Sequence, residues 1–469
     1  MATQQSCGMA IIPKALQAAV ALPCPQQQAF RMSAPSSSPA PALRRLLHLG
    51  FALAVAVGGT AGTSVLTAPG DLARALGTPG LVLLFWIIGG LYTLLAANTL
   101  AELAGRLPQA GGWYGYAEAA FGEFPAVAVA WADWTSSCVA GALVALLLGD
   151  YLAQLLPAPL SDYPRTLAAG SIILLSALQW RGPRQAGRTQ EITAALLILV
   201  LLAIVGGSAA LPAAPSASAV SAAAKPAVSV VAALQVVVFA YDGWYGPIYF
   251  AEETPQPGRT LARALLLGVL VILGLYFVLN AALLRALPWP RFQGSTLPLA
   301  ELAAGVLGPI GRRLVLGLGV AALLGVLNSV LLMATRVLFA LGRAGHLPEV
   351  LGRVHEGGTP RPALLLALLL TLGLALSGTV ASLEAITSIL FVGYYVVGFA
   401  ALLKLRQQGP PPGDAFRAWA HPWSTGLLVL LSIGFLVLNV LDDTRHALIA
   451  VLLVVGAWPL WRWQKGFRA

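Results

Sequence analysis

Twelve runs of mostly apolar residues, each about 20 long, leave this chain few ways to fold, because that length matches the hydrocarbon core of a bilayer. They are centred near Ala56, Ile87, Ala140, Ile172, Leu199, Phe239, Leu275, Val326, Leu370, Val392, Leu431 and Leu452. Backbone in lipid must satisfy its own polar groups, which admits helices or a closed barrel. The long alternating strands of a barrel are absent, and 58% of the residues are apolar against 10% charged. The expectation is an all-α polytopic membrane protein with about 12 transmembrane helices.

The sixth run is interrupted. In Val236 to Ala264, VVVFAYDGWYGPIYFAEETPQPGRTLARA, helix-breaking Gly243, Gly246 and Pro247 stand beside Asp242 at membrane depth. Glycine lacks the Cβ restraint and proline lacks a donor, so several peptide groups cannot join a helical ladder. Such groups are tolerated only inside protein or against a wet cavity. The first run carries a matching interruption, GGTAGTSVLTAPG at Gly58 to Gly70, with Thr60, Thr63 and Ser64 among its small residues. Small residues also let helices approach closely. Interruptions at corresponding places in two halves of a transporter point instead to a binding site, where half-helix ends offer amides to an anion and carbonyls to a cation.

The net charge of +10 is scattered rather than clustered. With both termini placed in the cytoplasm, 20 of the 28 lysines and arginines fall on the inner side and eight on the outer side, from Arg74 to Arg445. That asymmetry is the positive-inside bias and indicates a multi-pass protein of the cell (inner) membrane. Continuous basic patches interleaved with aromatics are missing, which argues against nucleic acid. His48, His346, His355, His421 and His446 fit no metal-ligating or HExxH spacing, and no Walker A motif is present. The pattern gives no reason to expect an enzyme, a metal or a cofactor. Cys7 and Cys24 lie in the N-terminal extension and Cys138 within the third run, so no disulfide-linked ancillary subunit is expected.

Residues 1–43 read as a disordered cytoplasmic tail rich in serine, proline and alanine, and Met32 offers an alternative start. An Ala, Ser and Pro linker at Pro212 to Pro226 precedes the sixth run. Asp133 and Asp150 in the third run count out nearer the interfaces, where they would snorkel or form hydrogen bonds. Arg336, Arg343, Arg353 and Arg361 mark Leu331 to Leu366 as a cytoplasmic loop, to which Glu252 and Glu253 are expected to pair.

Four segments carry a resemblance: GTSVLTAPGDLARALGTPG; AEL with GGWYGYAEAAFG; FAYDGW with EETPQPGRTLARA; and TRVLFALGRAGHLPEVLGRVHEGGTPRPAL. In order and spacing from Gly62 to Leu364, they resemble the amino acid, polyamine and organocation transporter superfamily, and most of all bacterial relatives of the L-type amino acid transporters. The resemblance implies a LeuT-type fold of 5+5 inverted repeats: 44–212 as the first five helices, 213–406 as the second five, and 407–469 as two appended helices. It also implies that the substrate carboxylate meets amides at Gly62, Thr63 and Ser64. The ammonium would meet carbonyls of Thr60, Phe239, Ala240 and Asp242, with Arg336 the expected partner of the acidic pair.

Phe239 matches the family's aromatic gate, against which stands ordinary packing. Trp244 would shape the side-chain pocket or cover the unwound backbone, and Asp242 would contact ammonium, take up a proton or cap a half-helix. Two departures stand out. Ser64 replaces a glycine common in relatives, and near Leu196 or Leu197 the fifth run lacks a lysine that many relatives carry, which leaves the coupling ion open. The expected activity is secondary transport of an uncharged amino acid, by proton symport or amino acid exchange. A cationic amino acid or polyamine antiporter is the alternative within the fold, and a non-transporting receptor or scaffold the alternative outside it.

Overall fold

The computed structural model describes residues 48–62, 64–214, 229–355, 358–411, 413, 415–459 and 461–462. The N-terminal tail with Cys7, Cys24 and Met32, most of the 212–226 linker, and Thr63 lie outside the described residues. Among the described residues the regular structure is helical, without strands. The first seven α-helices are α1 (Leu49–Thr60), α2 (Ser64–Leu76), α3 (Pro79–Arg106), α4 (Trp113–Phe121), α5 (Glu123–Leu155), α6 (Pro164–Trp180) and α7 (Pro183–Ser208). Then come α8 (Val230–Ala240), α9 (Pro257–Ala286), α10 (Trp289–Gly294), α11 (Pro298–Leu307), α12 (Pro309–Arg343), α13 (Arg361–Ser377), α14 (Val380–Gln407), α15 (Trp423–Asp442) and α16 (Thr444–Val455).

The centre of each of the twelve apolar runs lies on one of these helices. Seven helices are long and apolar enough to cross a membrane alone, and α1 with α2, 40° apart, make an eighth as a broken span. Other apolar stretches, such as α8 and α13, are shorter. Local chemistry sets several starts. Proline opens α3, α6, α7, α9, α11 and α12, where its missing N–H costs nothing. A reciprocal box between Thr379 and Ser382 caps α14.

Leucine and isoleucine side chains on α7 and α15, among them Ile192, Leu199, Leu430 and Leu441, remain exposed, as a lipid-facing surface requires. Inside, α3 packs along α9, α5 along α12 and α6 along α13. A buried amide network ties α1, α6, α7 and α12 together. The Gln179 amide donates to Asn328, Asn328 donates to Gln190, and Gln190 donates to the Ala54 carbonyl at 3.2 Å. Buried networks of this kind fix relative helix positions in a low dielectric, although Gln179 Oε1 has no hydrogen-bond partner.

Candidate functional site

The two interruptions meet backbone to backbone. Gly243 has φ of +98°, and a Cβ placed there would stand 2.4 Å from the Gly59 carbonyl oxygen. Only glycine takes this conformation cheaply and leaves room for the facing peptide. On one side α1 stops at Thr60; on the other α8 stops at Ala240, passes through turns and resumes as a 3₁₀ segment, Gly246–Glu253.

A cavity of about 70 Å³ lies at this junction, lined by Thr60, Gly62, Ser64, Phe239, Asp242 and Gly243. Ser136 and Ser137 on α5, Val326 and Met333 on α12, Thr387 on α14 and Tyr245 in the break also stand on its wall, with further apolar residues between them. Phe239 and Ser64 also line a larger cavity of about 590 Å³, whose rim carries Asp71, Arg74, Glu384, Asp442 and Asp443. Half-buried Phe239 therefore stands where the two spaces meet. At the rim, the His446 amide and ring beside Asp443 hold its carboxyl below the usual carboxylate range.

The structure brings together Thr60, Gly62, Ser64, Phe239 and Asp242, and sets two predicted residues back. Ala240 is fully buried away from the cavity wall, and its carbonyl accepts the Tyr276 hydroxyl at 2.9 Å. Trp244 is likewise off the wall, packed against the Tyr245 and Tyr395 rings. Other peptide groups at the breaks are already engaged: the Gly62 amide donates to the Thr60 carbonyl, and the Asp242 amide to that of Phe239. A carbonyl keeps a second lone pair, so these bonds leave Thr60 and Phe239 able to accept a ligand. Asp242 Oδ1 accepts the Tyr395 hydroxyl at 2.5 Å.

The end of the bundle below the cavity is sealed by ion pairs. Arg336 donates two hydrogen bonds to Glu253, at 3.0 and 3.2 Å, both side chains being almost fully buried. The guanidinium also lies 5.2 Å from the centre of the Phe250 ring. Arg343 pairs with Glu252, which accepts the Ala110 amide as well. Glu102 gathers Arg106, Arg406 and the Ala418 amide. The acidic pair thus finds arginine partners, Arg336 among them, with one correction. Arg336 belongs to no loop: α12 stays helical to Arg343, and neutralisation by Glu253 lets the guanidinium sit inside the bundle. Of the two expectations for Asp133 the structure shows the hydrogen-bonded one: the side chain is fully buried and accepts the Tyr249 hydroxyl at 2.7 Å.

A family model described as "Amino acid permease" matches residues 50–458. The chain belongs to this family. Among relatives, the permease is 26% identical to the serine/threonine exchanger SteT of Bacillus subtilis over 91% of this chain and 98% of that one. It is 29% identical to the human large neutral amino acids transporter small subunit 2, over 79% of this chain and 71% of the relative. With the branched-chain amino acid permease BcaP of Bacillus subtilis it shares 26% identity over 82% and 85%. Against this background, the residues of the permease's site that sequence reasoning passed over are Ser136, Ser137 and Thr387. A partial signal was present in the adjacent hydroxyls of TSSC, though a mid-span hydroxyl can also bond its own helix, as Thr387 does to the Leu383 carbonyl.

Proposed function

We propose that this permease carries a small uncharged amino acid across the cytoplasmic membrane by alternating access, as an exchanger or a proton symporter. The observation that carries the reading is the small cavity where both interrupted helices meet, with an apolar wall broken by the hydroxyls of Thr60, Ser64, Ser136, Ser137 and Thr387 and by Asp242. About 70 Å³ gives room for roughly five water-sized groups, a scale that suits alanine, serine or threonine. The amides at Gly62, Thr63 and Ser64 receive the carboxylate at the positive end of a helix dipole, that of Gly62 once it has released the Thr60 carbonyl. The carbonyls of Thr60 and Phe239, with Asp242, receive the ammonium. The names of the relatives support an amino acid cargo.

In this reading the basic end, with Arg336, Arg343 and Arg406, faces the cytoplasm together with both termini. The larger cavity then opens outward, and the structure corresponds to an outward-facing state with its inner gate closed. Residues 44–212 and 213–406 form the inverted halves, and α15 and α16 are appended. The pairing of α3 with α9, α5 with α12 and α6 with α13 is what a two-fold axis between such halves would produce. Phe239 acts as the outer gate. Phe239→Ala is expected to slow counterflow several-fold while substrate-induced thermal stabilisation changes little; equal losses in both would make Phe239 an ordinary contact.

The reading is tested by uptake of a panel of labelled amino acids into proteoliposomes, with and without internal amino acid. Saturable uptake of small uncharged amino acids, stimulated by internal amino acid, is the expected result. Absence of saturable uptake across the panel would overturn it in favour of a receptor or scaffold. A cationic cargo is the second reading, favoured by Asp71, Glu384, Asp442 and Asp443 around the outer cavity, and arginine, lysine and polyamines in the panel decide it.

A further inference from the structure

We propose that Asp133 is a proton-binding site through which this permease couples amino acid entry to proton entry. The proposal rests on the transport reading above and adds the coupling ion and its residue. Asp133 lies on α5 one turn from Ser136 and Ser137, outside the cavity wall and toward the sealed end. Its side chain is fully buried; Oδ1 accepts the Tyr249 hydroxyl, and Oδ2 has no hydrogen-bond partner.

The groups around Asp133 contain no balancing charge. The 3₁₀ segment presents Tyr249, the turn before it Tyr245, α14 presents Tyr394, and Asp242 stands at the break. From α4, α6, α12 and α13, which also pack on α5, no basic side chain forms a hydrogen bond or ion pair with it among the described residues. Glu253 provides the contrast, since its burial is matched by bidentate Arg336. An ionised Asp133 would leave a buried charge with one oxygen wholly unsolvated, which the low dielectric of the bundle strongly disfavours. Protonation removes that cost, so with the inner gate closed Asp133 carries a proton.

The surroundings also supply a route and a release. Three hydrogen-bonded pairs, Asp242 with Tyr395, Tyr245 with Tyr394, and Tyr249 with Asp133, are packed ring against ring. Tyr245 stands 5.4 Å from Tyr395 and 6.1 Å from Tyr249 between ring centres. A hydroxyl-lined path therefore runs from the Asp242 side chain, which borders the cavity, inward to Asp133. Opening the inner gate breaks the Glu253 and Glu252 pairs and moves the segment that holds Tyr249. Water then reaches Asp133, the carboxyl O–H bond breaks, and the proton passes to water while the carboxylate stays solvated.

The test uses purified full-length permease in proteoliposomes, with labelled L-alanine and L-serine as probes and a pH-sensitive dye inside. For the unmodified protein an inward proton gradient is expected to raise initial uptake several-fold, with the interior acidifying as substrate enters. Asp133→Asn, a neutral mimic of the acid, is expected to abolish both effects while counterflow without a gradient stays within a few-fold of the original. Tyr249→Phe is expected to shift the pH midpoint of uptake. Acidification by Asp133→Asn equal to the unmodified protein would overturn the assignment, and so would counterflow by the unmodified protein without any proton effect, which leaves the transport reading standing. Lack of counterflow by the unmodified protein would sink both. Should Asp133→Asn fail to fold, Asp133→Glu decides: a displaced pH midpoint supports the site, and an unchanged one contradicts it.

Discussion

Gly243→Ala is expected to abolish amino acid counterflow and to lower thermal stability, whereas Gly274→Ala on α9 should change neither. At Gly243 two penalties coincide. A side chain at φ +98° costs about 1–3 kcal/mol in backbone strain alone. The new Cβ would also stand 2.4 Å from the Gly59 carbonyl oxygen, a backbone atom fixed by its own helix. The two interruptions must then move apart, which widens the cavity between them and spoils the spacing of the half-helix ends. Gly274 is the control because a Cβ there meets nothing within 4 Å. Thermal unfolding of detergent-purified variants and counterflow in proteoliposomes together check this; a Gly243→Ala protein with normal counterflow would mean that the breaks need not touch.

The second large effect is expected at the inner gate. Arg336→Met strands a buried Glu253 carboxylate, and removing one partner of such a pair costs about 3–5 kcal/mol. For a chain of this size a fall in melting temperature on the order of 3–5 °C follows. The double variant Arg336→Met with Glu253→Met removes both charges and is expected to recover most of that stability. Transport separates structure from gating: the stable double variant should still translocate abnormally, because a seal that opens with water and closes with charge has become permanently apolar. Recovery of normal transport in the double variant would reduce the pair to a packing element.

Much of this arrangement was legible in the chain because lipid penalises irregular backbone so heavily. Apolar runs centred on Ala56 and Phe239 could carry glycine, proline and Asp242 only if the breaks were sheltered, and the structure places the two breaks in contact. The acidic pair was legible as charge, but the depth of Arg336 was not. Its partner is 83 residues away in sequence, and a guanidinium reads as a loop marker until the neutralising carboxylate is located. For Asp133 the sequence left snorkelling and hydrogen bonding both open, and its partner Tyr249 is 116 residues away. The helix that carries it has 33 residues, more than a bilayer needs, so counting along it does not fix depth.

Orientation within the broken segment was the least readable feature. A stretch that is neither helix nor strand has no period from which a facing side can be inferred. Trp244 was therefore left between shaping the pocket and covering the unwound backbone, and its ring packs on Tyr245 and Tyr395. The Tyr276 hydroxyl that occupies the Ala240 carbonyl comes from α9, and no local signal announces it. Ser136 and Ser137 were readable in principle, since two hydroxyls in mid-span suit a polar cavity more than a lipid face.

The central claim is that two interrupted helices hold both charged ends of a zwitterion. The measurement that reaches it most directly is inhibition of labelled alanine counterflow by alanine, by its carboxamide and by propionate. Loss of the carboxylate leaves amides without an anion, and loss of the ammonium leaves Asp242 and the carbonyls without a cation. Each defect is expected to weaken inhibition by about 100-fold or more. Inhibition by the carboxamide or by propionate at concentrations similar to alanine would contradict the account.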